Sequence, residues 1–371
     1  MSLSADRSKI FRTAVLSCVK HDYVARGVER HPRFELVVAA DDPQMPDWVH
    51  ERNQKFADEK RIPYIRDVER ALREFQIDVA VVSPEAERHC ELSVRAANLG
   101  VHVIQDKPMS TRLSECDRLV EAAERNKIKT LIWNRNMLPA VLQAKQLVDS
   151  GEIGRPYSVH ADFYFAKDAG PPKGSRGPSD APLNWLDLQK AAHVTGADGG
   201  LGKTAMGELQ VEGIYPLAYI HLLTGAFIER VYARTTAMFH QGHADNDVDD
   251  LASVSLEMTG GVLGTLAIGR IGAASHPEIG EIKLHVLGTK GALVIAEARP
   301  EVAVYYRNQP ADEFPHRRIA NDNDFLLTDS FVKAIDEDGE SLLNAKTARA
   351  LTAAVEAAIR SGKTGRVESV L

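Results

Sequence analysis

The amino-acid sequence predicts an α/β protein in two parts, and two observations support this fold class. In the first third, continuous runs of Val, Ile, Leu and Ala alternate with helical segments, which is typical of a doubly wound parallel sheet covered on both faces. In the remainder, longer strands follow one another through glycine-containing turns, which indicates an open, mostly antiparallel sheet in a second α/β domain. We place the boundary so that residues 1–133 form the first domain and residues 134–371 the second.

The first domain contains strands that are apolar throughout, as expected when both faces of a sheet are covered. The predicted strands are RTAVLSCV (12–19), RFELVVAADD (33–42), DVAVVSP (78–84), VHVIQDKP (101–108) and KTLIWN (129–134). Between them, the predicted helices are ARGVERHP (25–32), WVHERNQKFADEK (48–60), VERALREF (68–75), RHCELSVRAANLG (88–100) and SECDRLVEAAERNK (114–127). This alternation predicts a nucleotide-binding type of sheet.

The second domain opens with a helix that ends near Gly151, followed by an alternating strand at 157–165. A Gly- and Pro-rich loop (166–182) and a helix near Tyr215 come next. The predicted strands lie at 227–239, 251–271, 282–297 and 302–307, with hairpin turns at TGG (259–261) and GTKG (288–291). Two helices, 324–339 and 345–362, close the chain.

Composition excludes several classes of function. A net charge of −7 argues against a nucleic-acid-binding surface, which needs an excess of basic residues. No apolar run is long enough to cross a bilayer, and the polar start MSLSADRSK lacks the apolar core of a secretory signal. Cys18, Cys90 and Cys116 are odd in number and widely spaced, which indicates buried reduced thiols in a cytoplasmic protein. No histidine has metal-ligand spacing to a Cys or Glu, so we expect no metal.

The first turn of the parallel sheet lacks the expected glycine motif. A dinucleotide-binding sheet normally carries G-x-G-x-x-G there, but Ser17 to Val24 contains no glycine, and Gly27 already lies in the helix. Two features still favour a dinucleotide: a helix start that attracts phosphate, with Lys20 nearby, and the acids Asp41 and Asp42 at the end of strand two. A carboxylate there accepts both ribose hydroxyls and repels a 2′-phosphate, so NAD is favoured over NADP. The alternative, that both acids are ordinary turn residues, stays open at this point.

The stretch HVIQDKPMS begins as a buried strand and ends abruptly in Asp106, Lys107 and Pro108. Ligands of doubly wound sheets bind at the carboxyl ends of strands, so Lys107 is predicted to face a ligand. Proline cannot continue the strand and favours an extended Lys107, and a cis Lys107–Pro108 bond is compatible with the sequence. The alternative is a strand-end lysine that reaches solvent.

Several ordered phrases resemble the Gfo/Idh/MocA oxidoreductase family over essentially the whole chain. HCELSVRAANLGVHVIQDKP (89–108) is similar to the family's H…A…GKHV…EKP stretch, with Asp106 in place of the more usual Glu. RNMLPAVLQAKQLVDSGEIGRPYSV (135–159) resembles the link between the family's domains, and AKTARALTAAVEAAIRSGKTGRVESV (345–370) resembles its closing helix and strand. The resemblance implies a Rossmann domain joined to an α/β domain whose open sheet forms a homodimer or homotetramer interface.

The resemblance also implies a reaction: NAD(P)-dependent hydride transfer at a secondary hydroxyl of a sugar, polyol or glycoside. Lys107 then binds and polarises the hydroxyl. GELQVEGIYPLAYIHLLTG (207–225) aligns Tyr215 with the acid/base position, which resembles the tyrosine branch of the family, whereas Val211 and Ala218 replace two family carboxylates. Glu208 and Glu212, one helical turn apart, are predicted to replace that negative charge. A core aromatic role for Tyr215 is the alternative.

A tyrosine beside a lysine suits this chemistry, because the ammonium lowers the phenol pKa and stabilises the developing alkoxide. We expect no membrane or nucleic-acid partner. Two other functions stay open: an enzyme that keeps NAD bound while oxidising a glycoside and eliminating its aglycone, and a non-catalytic sensor or scaffold relative. The predicted cofactor-binding residues are Ser17, Val19, Lys20, His21, Asp41, Asp42, Pro84, His89, Asp106, Lys107 and Arg135, and the predicted substrate-binding residues are Lys107, Trp185, Glu212 and Tyr215.

Overall fold

The computed structural model describes residues 9–165, 205–270, 280–296, 301–306, 312–315 and 322–370. The chain divides into two compact units. The described residues of the first unit are 9–134 and 322–349. Those of the second unit lie within 135–165, 205–315 and 350–370. Trp185 and the loop 166–182 lie outside the described residues. Within the described residues, no helix has the length and apolar content needed to cross a membrane.

The first unit contains a parallel sheet of six described strands in the order β3-β2-β1-β4-β5-β6. This order is the one found in dinucleotide-binding sheets, and it confirms the predicted fold class. Its strands are β1 Phe11–Leu16, β2 Phe34–Ala40, β3 Tyr64–Ile65, β4 Val79–Val82, β5 His102–Gln105 and β6 Thr130–Ile132. The two-residue strand β3 was not predicted, because it is too short to produce an apolar run.

Helices cover both faces of this sheet. They are α1 Tyr23–Glu29, α2 Asp47–Lys60, α3 Val68–Glu74, α4 His89–Asn98 and α5 Leu113–Asn126. Helix α1 packs closely at Gly27, where a Cβ atom would lie 3.0 Å from Asp324 Cβ and 3.1 Å from the ring of Trp133. Gly27 therefore allows close packing of α1, and it lies beyond the glycine-free turn.

The second unit contains an open sheet of nine described strands in the order β14-β13-β12-β11-β7-β10-β9-β8-β15. All neighbouring pairs are antiparallel except β7 and β10, so the predicted mostly antiparallel sheet is confirmed. The strands are β7 Pro156–Phe165, β8 Ile228–Thr236, β9 Leu251–Met258, β10 Val262–Gly269, β11 Gly280–Gly288, β12 Gly291–Ala296, β13 Glu301–Tyr306, β14 Asp312–Pro315 and β15 Glu368–Ser369. Both predicted hairpin turns are present, between β9 and β10 and between β11 and β12.

The remaining α-helices among the described residues are α6 Pro139–Asp149, α7 Glu208–Glu212, α8 Ile214–Thr224, α9 Gln241–Asp245, α10 Asn323–Asp336 and α11 Ala345–Thr364. Strands β7, β8, β9 and β10 alternate buried residues with exposed or half-buried ones, so one face of this part of the sheet carries the core and the other is more exposed. The thiols of Cys18, Cys90 and Cys116 are free and buried, as predicted.

Among the described residues, the structure differs from the predicted domain division in the segment Asp322–Arg349. Residues Asp322–Arg349 belong to the first unit, although we assigned everything after residue 133 to the second domain. The chain returns to the first unit because Arg33 forms two hydrogen bonds with Asp336, at 3.0 and 3.1 Å, and Leu343 accepts a backbone bond from Ile132 at 2.8 Å. Such long-range pairings leave no local pattern in the sequence.

Candidate active site

The carboxyl ends of β1, β2, β4 and β5 meet at one edge of the parallel sheet and carry most of the predicted site residues. They form two clusters of hydrogen-bonded side chains within the first unit. We call the first cluster the Lys107 corner and the second the Asp41 corner. The Lys107 corner consists of Lys20, His21, Ser83, Asp106 and Lys107, and the Asp41 corner consists of Asp41, Asp42, Asn53, Glu85, Arg88 and Arg95.

In the Lys107 corner, the backbone N–H and the backbone carbonyl of Lys107 both form hydrogen bonds. Its backbone N–H donates to Asp106 Oδ1 at 2.8 Å, and its carbonyl accepts from Lys20 Nζ at 3.0 Å. The residue is 3% exposed and precedes a cis peptide bond to Pro108. The alternative of a solvated strand-end lysine does not match this burial. The first turn thus contacts the end of β5 and fixes the backbone from which the Lys107 side chain projects.

Asp106 is completely buried and forms further bonds within this corner. Its Oδ2 atom lies 2.6 Å from His21 Nδ1 and accepts the Ser83 hydroxyl at 3.0 Å. Burial alone would raise its pKa, but His21 and Lys20 hold the pKa of Asp106 well below its ordinary value. Burial lowers the pKa of His21 below 6.5, although Asp106 opposes this shift. Asp106 therefore stays ionised at neutral pH.

His89 lies at the start of α4, between the two turns that leave β4 and β5. Its Nδ1 atom is 2.7 Å from the Pro108 carbonyl and its Nε2 atom 3.2 Å from the Pro84 carbonyl. Burial lowers the pKa of His89 to about 4, so the ring is neutral and its proton belongs on the closer contact. His89 therefore links the backbone at Pro84 to the backbone at Pro108 and holds the Pro108 loop in place.

The glycine-free first turn keeps a turn conformation that glycine usually supplies. Ser17 has φ of 61°, in the left-handed region. The next two side chains are buried: the Cys18 backbone N–H bonds Asn53 Oδ1 at 2.9 Å, and Val19 packs in one cluster with Met45 and Val49. Burial raises the pKa of the Cys18 thiol to about 12, so it is not a reactive thiolate. Both side chains lie in the core, and neither bonds into the Lys107 corner.

At the Asp41 corner, the two acids predicted to bind ribose form internal ion pairs. Arg88 Nη2 lies 2.7 Å from Asp41 Oδ1 and 3.0 Å from Asp42 Oδ2, and Asn53 donates to Asp41 Oδ2 at 2.9 Å. Arg95 also bonds Asp42, at 2.8 Å. Asp41 and Asp42 are therefore neither exposed turn residues nor free carboxylates. Sequence reasoning missed Arg88 and Arg95, because their partners Asp41 and Asp42 lie more than 40 positions away along the chain.

Glu85 is a further residue of this corner that the sequence did not reveal. It follows Pro84 after β4, is 6% exposed, and has Oε1 at 3.4 Å from Arg88 Nη1. Its other oxygen, Oε2, is buried without a hydrogen-bond partner among the described residues. Burial raises the pKa of Glu85 to about 7, partly offset by Arg88. A buried acceptor of this kind beside Asp41 suits a hydroxyl group of a bound ligand.

In the second unit, Tyr215 lies on α8 and is 6% exposed, with its ring 6.2 Å from that of Phe163. Glu208 and Glu212 lie on the preceding helix α7, and Gly213 separates the two helices. Arg270 Nε bonds Glu208 Oε2 at 2.6 Å, and its Nη2 lies 3.8 Å from Glu212 Oε1. Glu208 and Glu212, predicted to replace the missing family carboxylates, both pair with the buried Arg270. Arg135, half-buried, begins this unit.

Comparison with known proteins identifies the family. A model described as the oxidoreductase family with an NAD-binding Rossmann fold matches residues 21–133, and the GFO/IDH/MocA C-terminal domain matches residues 197–294. The chain belongs to the Gfo/Idh/MocA oxidoreductase family. The first match begins at His21, within the glycine-free turn.

Curated relatives are distant and differ in how much of the chain they share. An inositol 2-dehydrogenase of Salmonella typhimurium is 30% identical over 92 residues, which are 24% of this chain and 27% of that relative. A 2,7-anhydro-N-acetylneuraminate hydratase of Mediterraneibacter gnavus is 21% identical over 348 residues, which are 84% of this chain and 85% of that relative.

Solved structures extend the likeness of fold across both units. A levoglucosan dehydrogenase in complex with NADH superposes with a TM-score of 0.78 at 18% identity, over 98% of this chain and 100% of that chain. At this identity the likeness establishes the fold and leaves the chemistry to the residues of this chain.

Proposed function

We propose that this chain is an NAD-dependent oxidoreductase that transfers a hydride at a secondary hydroxyl of a sugar, polyol or glycoside. The Lys107 corner is the main support: a buried lysine at the carboxyl end of β5, with its backbone held by Asp106 and Lys20. An ammonium group fixed at this edge stabilises the alkoxide that develops when the hydroxyl proton leaves. The dehydrogenases named above act on sugars and polyols, and they support this substrate class.

The described residues fit a dinucleotide at this edge, although not through a glycine-rich turn. Ser17 keeps the left-handed turn conformation, and Glu85 Oε2 is a buried acceptor beside Asp41 that a ribose hydroxyl would satisfy. When bound, NAD supplies the hydride acceptor. We propose that the first turn and both corners hold it, through Ser17, Val19, Lys20, His21, Asp41, Asp42, Glu85, Pro84, His89, Asp106, Lys107 and Arg135.

We assign three tasks to the side chains of the chain itself. Lys107 binds and polarises the hydroxyl, and Tyr215 of the second unit acts as the acid/base group of the same reaction. The buried acids of the Asp41 corner favour NAD over NADP, because a 2′-phosphate there would meet carboxylates at close range. Arg88 and Arg95 partly neutralise these carboxylates and so weaken the discrimination. Comparing the affinities of the protein for NAD and NADP tests the preference.

Replacing Lys107 tests this assignment. Lys107→Met keeps most of the apolar stem and removes the charge, so we expect turnover to fall by roughly 10³-fold or more while the protein stays folded and still binds NADH. NADH fluorescence measures binding, and NADH absorbance with a panel of sugars and polyols measures turnover. Lys55→Met, on the exposed side of α2, is the matched control. Unchanged turnover in Lys107→Met would remove Lys107 from the mechanism, and absence of NADH binding in the unaltered protein would refute the proposal.

A second candidate is an enzyme that keeps its NAD and recycles it during elimination on a glycoside. The relative named as a hydratase, which matches 84% of this chain, supports this candidate. Release of aglycone without net NADH distinguishes this candidate from the first.

The open face of the second unit's sheet supports a proposal of self-association. Leu263 is 58% exposed and Tyr232 is 39% exposed on strands whose other face is buried. We propose a homodimer or homotetramer through this face, which light scattering of the purified protein measures. A cytoplasmic location remains a prediction.

A further inference from the structure

A proton must leave the Lys107 corner whenever a hydroxyl is oxidised there. Lys107 is 3% exposed and Asp106 is fully buried, so neither meets bulk water directly. The side chain of His21 is 19% exposed, and it bonds Asp106. His21 thus joins the buried corner to solvent.

The geometry of the pair fixes which imidazole nitrogen carries the proton. Asp106 Oδ2, an ionised acceptor, lies 2.6 Å from His21 Nδ1, so Nδ1 donates and the lone pair of the neutral ring is on Nε2. Asp106 cannot turn away, because Ser83 Oγ and the Lys107 N–H bond it as well. This is the arrangement in which a carboxylate orients a histidine for proton transfer.

Two departures from the patterns that the sequence resembles meet in this contact. His21 lies in the turn that lacks glycine, and Asp106 replaces the usual Glu, although 85 positions separate them along the chain. We infer that His21, held by Asp106, is a proton-relay residue that acts through Lys107 and carries the hydroxyl proton to solvent. This inference rests on the proposed function.

The step balances as follows in the direction of oxidation. The substrate O–H bond breaks, and the electron pair of the C–H bond leaves as hydride to the oxidised nicotinamide dinucleotide named above. The hydroxyl proton enters the relay when Lys107 gives one ammonium proton to His21 Nε2 and regains one from the acid/base group of the proposed function, so Lys107 ends as an ammonium. The imidazolium of His21 then releases its proton to water, and Asp106 remains a carboxylate throughout.

The charges around His21 agree with this role. Lys20 and Lys107 disfavour an imidazolium and Asp106 favours one, while the Tyr23 ring lies 4.8 Å away. Because burial lowers the pKa of His21, its neutral form is available to accept a proton at neutral pH.

The first experiment needs no cofactor. Nitrogen-detected NMR of the NAD-free protein, with His21→Gln used for assignment, reports tautomer and titration. We expect a neutral ring with the proton on Nδ1 at pH 7.5 and titration below pH 6.5. A proton on Nε2, or an imidazolium at pH 7.5, would overturn the inference.

The second experiment compares His21→Ala and His21→Gln with Lys107→Met. We expect kcat to fall roughly 10²-fold in both His21 variants, with little change in NADH affinity and loss of the acidic limb of the pH profile. Added imidazole should restore His21→Ala in proportion to its neutral form, which a merely structural role would not produce. The control is His102→Gln, at the opposite end of β5, which should retain wild-type kcat.

The outcomes separate the inference from the proposed function. If the His21 variants keep kcat and the acidic limb while Lys107→Met is inactive, the relay is refuted and the proposed function stands. If imidazole does not rescue His21→Ala although NADH still binds, the relay is refuted as well. If Lys107→Met retains full turnover, both fail together.

Discussion

The two corners of the parallel sheet place buried aspartates at equivalent positions and pair them with different partners. At the end of β5, Asp106 bonds His21, whose charge changes with pH. At the end of β2, Asp41 and Asp42 bond Arg88, which is always charged. The same residue type therefore supports proton transfer in one corner and a fixed framework in the other, and the partner decides which.

Burial reinforces this difference. In the Asp41 corner Arg88 is 7% exposed and holds two carboxylates, with Glu85 beside it. In the Lys107 corner the histidine reaches solvent at one edge. A corner that exchanges protons needs a path to water, whereas a corner that shapes a binding surface is more rigid without one.

Replacing Arg88 should have the largest effect on the difference between the two corners. Arg88→Met leaves the carboxylates of Asp41 and Asp42 with fewer partners in a buried site, so we expect the free energy of unfolding to fall by about 3–5 kcal/mol. Urea unfolding at pH 7.5 measures this change. Arg118→Met, which breaks an exposed pair with Glu115, is the matched control and should cost less than about 1 kcal/mol. Equal costs for the two variants would mean that the Asp41 corner is not a structural framework.

Glu85 should make the stability of the Asp41 corner depend on pH. Its pKa is raised from 4.5 to about 7, so the folded state retains a proton that the unfolded state loses. The unfolding free energy should therefore decrease by about 3 kcal/mol as pH rises from 4.5 to 7, and this contribution should be constant above pH 7.

Glu85→Gln should lack this decrease, as measured by the difference between variant and wild-type unfolding curves across that pH range. Glu121→Gln, on the exposed surface of α5, is the control. A pH-independent difference would show that Glu85 keeps its ordinary pKa.

Asp106→Glu tests whether the short acid is matched to His21. The added methylene enters a fully buried position with three fixed bonds, so we expect a loss of about 2 kcal/mol in unfolding free energy. NMR should show that the bond to His21 Nδ1 is weakened, and the acidic limb of the pH profile should shift. Wild-type stability and profile in this variant would mean that the corner tolerates either acid.

Much of the fold was predictable because its signals are local. Continuous apolar strands predicted the parallel sheet, and the TGG and GTKG stretches predicted two hairpin turns. The short strand Tyr64–Ile65 and the return of Asp322–Arg349 to the first unit were not predictable, since both depend on contacts with distant segments.

The sequence by itself determined that Lys107 ends a buried strand and that the first turn has no glycine. Only the tertiary structure decided what replaces the glycine motif: His21 meets Asp106, and Lys20 meets the Lys107 carbonyl. It also decided that Asp41 and Asp42 pair with Arg88, and that Glu208 pairs with Arg270. Residue type fixes which charges a chain carries, but their partners come from elements far apart in sequence, which only folding brings together.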